Sequence, residues 1–200
     1  MTEHYYSRKP STESNPVKWQ SELKGNTFRF KTDSGVFSKK EVDFGSRLLI
    51  DTFELKKADG MLLDVGCGYG PIGLSIARAY PEAMVHMVDV NERAIMLAKE
   101  NASENKVDNV KIYESDRLNG VEEDGFDAIL TNPPIRAGKK IVHDIFEQSF
   151  QRLAEGGELW VVIQKKQGAP SAMEKMKELF GDVEVEAKSK GYFILKSVKC

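Results

Sequence analysis

The sequence predicts an α/β protein: a mostly parallel seven-stranded sheet with helices on both faces, ending in a C-terminal antiparallel hairpin. Three observations carry that expectation. From residue 61 onward, short apolar runs alternate with segments of helical periodicity, the pattern of strand–helix–strand units in a parallel sheet. The first of these runs leads into a glycine-rich stretch, LLDVGCGYGPIG, which opens a helix. Near the C-terminus, VEVEAKSKGYFILKSV sets two alternating segments around Ser189-Lys190-Gly191, a hairpin pattern.

The elements follow in order. MTEHYYSRKPSTESNPVKW is polar and rich in Ser, Thr and Pro, so it reads as an irregular arm, whose His4, Tyr5, Tyr6 and Trp19 could dock on the body. Thr27-Phe28-Arg29-Phe30-Lys31 alternates with period two between turn signals at Lys24-Gly25-Asn26 and Asp33-Ser34-Gly35, which predicts a small hairpin. Val42, Leu48, Leu49, Phe53 and Leu55 fall near helical spacing, giving an amphipathic helix. Strands are expected at Met61–Val65, Met84–Val88, Val110–Tyr113, Phe126–Leu130 and Glu158–Ile163. Helices are expected at Pro71–Ala79, Glu92–Glu104 and Lys140–Leu153, the last stopped by Gly156-Gly157, and a further one at Ser171–Phe180 before the hairpin. Residues 1–55 therefore form an arm, hairpin and helix packed on a main domain, residues 56–200. No internal repeat interrupts it.

Composition bounds the function. The 200 residues are 40% hydrophobic and 30% charged, ordinary for one sizeable core. Lys+Arg 29 against Asp+Glu 31 leaves a formal net charge of −2, so a nucleic-acid partner would have to be met by a local patch. Two cysteines, Cys67 and Cys200, do not suggest a disulfide framework, and His4, His86 and His143 have no metal-ligand spacing. No stretch approaches the roughly 20 apolar residues of a spanning helix, and none resembles a signal peptide. The expectation is a cytoplasmic protein without membrane or metal.

Two templates match the glycine loop. Gly68-Tyr69-Gly70-Pro71-Ile72-Gly73 satisfies the dinucleotide fingerprint GxGxxG, with Asp89 near the offset at which an acid holds a ribose. Asp64-x-Gly66-x-Gly68-x-Gly70 equally satisfies the acidic three-glycine loop of S-adenosylmethionine (SAM) methyltransferases. Three points favour the methyl donor. Asp64 would suit the donor's cationic ammonium end and would repel a pyrophosphate. Asp116, in YESD after the third strand, could accept from an adenine amine. The sequence also leaves no room for the separate substrate domain that a typical dehydrogenase carries. Without the loop, Asp89 would read simply as an acid before a helix N-terminus.

The segment TNPPIRAGK, residues 131–139, follows the apolar run Ala128-Ile129-Leu130. Two prolines cannot continue a central strand, so the strand ends there and presents the Asn132 amide. Alone, the tripeptide could be a plain turn; at the C-terminal end of a strand beside a glycine loop it stands where open α/β sheets bind ligands. Here the chain resembles the class I SAM-dependent methyltransferases, a Rossmann-like fold. In particular it is similar to those modifying planar nitrogens, which carry an [Asn/Asp/Ser]-Pro-Pro-aromatic motif after the fourth strand. The resemblance implies that Asn132 and the Pro133 carbonyl orient the target amine, with Pro134 helping to hold them rigid. It implies also that Gly66, Gly68 and Gly70 approach SAM, with Asp64 near its amino-acid end, Asp89 at the ribose and Asp116 at the adenine. Ile135 stands where that motif has an aromatic, so an apolar contact from Ile135, or stacking by Phe37 or Arg136, would replace base stacking.

The match narrows further. GVFSKKEVDFGSRLLI (residues 35–50), the glycine loop, TNPPIRAGK and the closing GYFILKS resemble the catalytic domain of one bacterial family. That family methylates the exocyclic N2 amine of guanine in small-subunit (16S) ribosomal RNA, which implies ribosomal RNA or the small subunit as partner. The long form of the family has a further N-terminal methyltransferase-like domain that this sequence does not include. Arg136 and Lys139, with Lys39, Lys40, Lys140 and Arg47, could supply a basic rim for RNA phosphates. Lys165-Lys166 and Lys188–Lys190 read as ordinary surface. A protein glutamine N-methyltransferase, or a SAM-binding assembly factor without catalysis, is the alternative.

Overall fold

A computed structural model describes residues 6–38 and 40–200; His4, Tyr5 and Lys39 lie outside them. Its main sheet contains β3 (Met61–Val65), β4 (Met84–Asp89), β5 (Val110–Glu114), β6 (Phe126–Thr131), β7 (Leu153–Gln164), β8 (Glu184–Ser189) and β9 (Tyr192–Val198). The spatial order is β5-β4-β3-β6-β7-β9-β8. The pairs from β5 to β7 are parallel, and β9 lies antiparallel between β7 and β8. This is the Rossmann-like architecture expected, with the C-terminal hairpin inserted in reverse order.

The strands read as continuous apolar runs because both of their faces are buried. Leu62, Ala128, Leu130, Trp160 and Val162 belong to one core. Their neighbours Leu63, Ile129, Leu159, Val161 and Ile163 belong to the other. Alternate residues thus serve opposite faces. The first core packs under α1 (Phe44–Thr52), α2 (Pro71–Ala79) and α3 (Glu92–Glu104), the second under α4 (Lys139–Arg152) and α5 (Ala169–Phe180).

Two boundaries differ from expectation. Gly156-Gly157 does not stop a helix; α4 ends at Arg152 and β7 already begins at Leu153. The glycines sit in an irregularity between the pairs Phe126↔Leu153 and Ala128↔Glu158. There Gly156 has φ 76°, and a Cβ on Gly157 would meet the Phe126 carbonyl at 2.7 Å. The second difference is at the N-terminus, where the polar lead-in turns into a strand earlier than expected. β1 (Val17–Leu23) pairs with β2 (Asn26–Thr32) through a Lys24-Gly25 turn.

That hairpin is tied to α3 by amides acting as a surrogate strand. Asn105 accepts from Arg29 N and donates to Arg29 O, both at 2.8 Å. Asn101 does the same for Lys31 at 2.8 and 3.0 Å, and also donates to the Tyr69 carbonyl at 2.9 Å. The exposed edge of β2 is thereby satisfied. Leu23, Phe28 and Phe30 share one core with Leu49, Phe53, Leu62 and Trp160.

Candidate active site

The chain order runs outward from β3 to β5 on one side and from β6 to β7 on the other, so the crevice between β3 and β6 is a topological switch point. Because β3 and β6 are parallel with Val65 opposite Thr131, the residues that follow each strand emerge side by side. Those residues are Gly66 and Asn132. A Cβ built on Gly66 would lie 4.0 Å from the Asn132 carbonyl oxygen. An open cavity of about 850 Å³ occupies this crevice, walled by Gly66, Gly68, Asp89, Phe37, Asn132 and Pro134 among others.

The glycine loop owes its path to backbone freedom: Gly66, Gly68 and Gly70 have φ of 75°, 57° and 106°. Gly68 donates its N–H to Asp89 Oδ2 at 2.9 Å, and Asn91 N–H donates to Oδ1 at 2.9 Å. Burial pushes the Asp89 carboxyl up to about 6 despite these bonds. Asp64 sits elsewhere than expected. It is 1% exposed and absent from the cavity wall, holding the Gly73 N–H at 2.9 Å through Oδ2. Its Oδ1 has no partner among the described residues. Burial pushes its carboxyl up to about 7, and its bond to the Gly73 N–H braces the loop from beneath. Cys67 is buried and its thiol raised well above the ordinary value by burial, which makes it a poor nucleophile.

Asn132 is fixed from its amino side. Nδ2 donates to Ser46 Oγ at 2.9 Å and to Asp43 Oδ2 at 3.3 Å. Carboxylates only accept, so the amide has one sensible orientation and its carbonyl oxygen is left as an acceptor. Asp43 also caps α1 by accepting from Ser46 N at 3.0 Å. Neither Asp43 nor Ser46 was singled out from sequence. The D-x-x-S pattern signals a helix cap, but nothing local says that the cap reaches a residue 89 positions away.

The Pro133 carbonyl accepts from Ile135 N at 2.9 Å, which uses one of its two lone pairs. Ile135 opens a short 3-10 turn, Ile135–Ala137, and packs on the second core beside Lys139 and Val142. It is absent from the cavity wall, whereas Phe37 lies on that wall and is 47% exposed. Arg136, within the turn, and Lys139, at the start of α4, are exposed.

Asp116 stands outside the wall, while Tyr6, Ser115 and Arg117 line it. Arg117 grips Asp116 through Nε at 3.0 Å and Nη2 at 2.8 Å, and the Tyr6 hydroxyl donates to it at 2.8 Å. The Arg117 bonds hold the Asp116 carboxyl below its ordinary value. Among the described residues no group of three or more His, Cys, Asp or Glu is placed to hold a metal ion. No helix among them is long and apolar enough to cross a membrane.

The family model described as "Methyltransferase small domain" matches residues 27–196, spanning both the hairpin and the crevice. The chain belongs to that family. This small methyltransferase domain is 60% identical, over the full length of both chains, to the uncharacterized protein YbxB of Bacillus subtilis (strain 168). It is 36% identical over 169 residues to ribosomal RNA small subunit methyltransferase C of Haemophilus influenzae, covering 82% of this chain and 49% of that one. The chain thus spans about half the length of the curated ribosomal RNA methyltransferases it matches. Among solved structures it superimposes on T. thermophilus 16S rRNA N2 G1207 methyltransferase in complex with AdoMet and guanosine. The TM-score is 0.84 at 25% identity, over 96% of this chain and 52% of that one.

SAM is the cofactor of the family, and the crevice fits it. Beside Gly68 there is open space where a Cβ would stand, so a ligand can approach the backbone, and the Asp89 carboxylate faces the same cavity.

Proposed function

We propose that this methyltransferase acts on the exocyclic N2 amine of a guanine in small-subunit ribosomal RNA. The single observation that carries the chemistry is the one-way anchoring of Asn132 by Asp43 and Ser46. Such an amine is a poor nucleophile because its lone pair is delocalised into the ring. An N–H bond accepted by Asn132 Oδ1 holds the amine so that its lone pair turns out of conjugation and toward the donor. The remaining lone pair of the Pro133 carbonyl is a second acceptor. Both are fixed before the substrate arrives, so no reorganisation accompanies the transfer. Bound SAM supplies an electrophilic methyl group on a sulfonium centre.

In this reading Gly66, Gly68 and Gly70 receive the donor along the loop, and Asp89 accepts from its ribose hydroxyls. Asp116, with Tyr6 and Arg117, borders the adenine end. Phe37 stacks on the target base, while Arg136 and Lys139 meet its flanking phosphates. The T. thermophilus 16S rRNA N2 G1207 methyltransferase and the H. influenzae small-subunit ribosomal RNA methyltransferases, to which the chain is similar, support the choice of guanine and of RNA.

The test is transfer of labelled methyl from SAM to ribosomal particles and total protein of a strain lacking this gene, followed by nucleoside analysis. The expected product is N2-methylguanosine in small-subunit RNA. Label recovered in protein, or in another nucleoside, would overturn the proposal.

A further inference from the structure

The sheet topology gathers a second set of cations at the end of the sheet that bears Asn132. β7 is parallel to β6, with Thr131 opposite Val161, so Lys165 and Lys166 leave the sheet at that end. β9 is antiparallel to β7, with Gln164 opposite Tyr192, which returns the β8–β9 turn to the same place. The two exits are joined by the Lys165 N–H donating to the Gly191 carbonyl at 2.8 Å. Lys190 lies 4.6 Å over the ring of Phe44, the residue next to the Asp43 that anchors Asn132. On the other flank, Lys139, Ile135 and Gln167 line one cleft, which connects the motif's own cations to the β7 exit.

Position, more than charge pairing, distinguishes these cations: among the described residues Lys18, Lys99, Lys106 and Lys177 also have no carboxylate within salt-bridge distance, but they lie on or beside β1, α3 and α5. Among the described residues, Arg136, Lys139, Lys140, Lys165, Lys166 and Lys190 have no carboxylate within salt-bridge distance. Lys31, Lys56 and Arg152 each have one, and Arg117, Lys175 and Lys196 each have two. Lys190 has a further peculiarity. It is held at φ 49° in a two-residue turn with Gly191, a conformation that Asn or Gly adopts at lower cost. Its counterpart in the N-terminal hairpin, Lys24 at φ 47°, has Glu54 at 3.6 Å. Lys190 has no such carboxylate; its partner among the described residues is the Phe44 ring.

We propose that Lys165, Lys166 and Lys190 form an RNA-docking rim that grips backbone phosphates and delivers the target base to Asn132. The inference rests on the reading of the chain as an RNA methyltransferase and assigns the part of the surface that makes the contact. A solvated lysine face would leave the salt dependence of RNA binding unchanged when neutralised. A phosphate-gripping rim would not.

The experiment compares wild type with the triple variant Lys165→Gln, Lys166→Gln, Lys190→Asn, and with Lys24→Asn as the control turn change. Binding to a small-subunit rRNA transcript is measured across a salt series, alongside SAM affinity and melting temperature. At about 50 mM salt the triple variant is expected to bind RNA at least roughly ten-fold more weakly, its log–log salt slope reduced by about two. SAM affinity stays unchanged, and Lys24→Asn binds RNA like wild type. Lys190→Asn alone should weaken RNA binding without lowering the melting temperature, since Asn suits the turn; the single variants carry the test if the triple variant loses SAM binding. A triple variant with wild-type affinity and slope overturns the rim but leaves the RNA reading standing. A wild type that binds SAM yet shows no salt-dependent affinity for RNA overturns both.

Discussion

Asn132 acts through the orientation of one amide, and that orientation is set by two neighbours on α1. Asn132→Ala removes the acceptor without touching the glycine loop. The expected result is a fall in kcat of about 10²–10³-fold, with SAM affinity within roughly two-fold of wild type; isothermal titration and single-turnover kinetics separate the two. The neighbours allow a finer test. Asp43→Ser keeps a helix cap but withdraws the carboxylate that accepts from Asn132 Nδ2, and Ser46→Ala withdraws the other acceptor. The double variant is expected to lose about ten-fold or more in kcat at nearly constant SAM affinity. Asp43→Asn is expected to retain most activity, because one amide oxygen can accept from both Ser46 N and Asn132 Nδ2. Equal loss in both variants would mean that charge, not amide orientation, is what Asp43 supplies. Asp89 adds a pH signature. Its carboxyl is raised to about 6 by burial, and in the proposed role it is the carboxylate, not the acid, that would accept from the ribose hydroxyls. SAM affinity should therefore weaken as pH falls through about 6, and Asp89→Asn should abolish that dependence. A flat wild-type profile between pH 5 and 8 would remove Asp89 from the ribose.

At the scale of elements, the parallel pairing of β3 with β6 puts the glycine loop beside Asn132, while Asn101 and Asn105 hold the hairpin along α3, Asn101 also reaching the loop at the Tyr69 carbonyl. Asn101 is 1% exposed and serves Lys31 N, Lys31 O and Tyr69 O together. Asn101→Ala leaves those backbone groups without partners, and a loss of about 2–4 kcal/mol in unfolding free energy is expected; chemical denaturation measures it. Because Tyr69 lies within the glycine loop, SAM affinity should fall too, whereas a surface change on α3 such as Lys99→Ala should alter neither. The core strands and most helices were legible because apolar runs and 3.6-residue periods are local. The early start of β7, before the strand expected at Glu158–Ile163, was not, because a Gly-Gly pair has the same local appearance whether it ends a helix or relaxes a strand. Only the approach of Gly157 to the Phe126 carbonyl distinguishes the two. The first strand of the hairpin was placed too late for a related reason: Val17–Leu23 is polar at alternate positions and gains its partner from β2 and its cover from elsewhere.

For the whole molecule, the two acids beneath and beside the loop make stability depend on pH in an unusual direction. Asp64 has its carboxyl raised to about 7 and Asp89 to about 6, both above the unfolded value of 3.8. Protonation is thus favoured in the folded state, so their contribution is fully present below 3.8 and is lost as pH rises through about 6 to 7. The ligand-free protein should become less stable between pH 5 and 8 on this account. Asp64→Asn should reduce that decline by roughly 2–4 kcal/mol, read from denaturation at each pH; an undiminished decline would show that Asp64 is not the source. The sequence by itself determined the α/β architecture, the family resemblance, the glycine loop and the Asn-Pro-Pro turn, because each is a contiguous pattern whose physics acts over a few residues. Tertiary structure alone decided that Asp64 braces the loop while Asp89 faces the cavity, and that Ile135 turns into the core while Phe37 takes the wall. It alone brought Asp43 and Ser46 to Asn132, and the lysines of two distant turns to one rim. The physical reason is strand pairing: register and parallel direction bring residues far apart in sequence to the same sheet end, and no local pattern encodes which will meet.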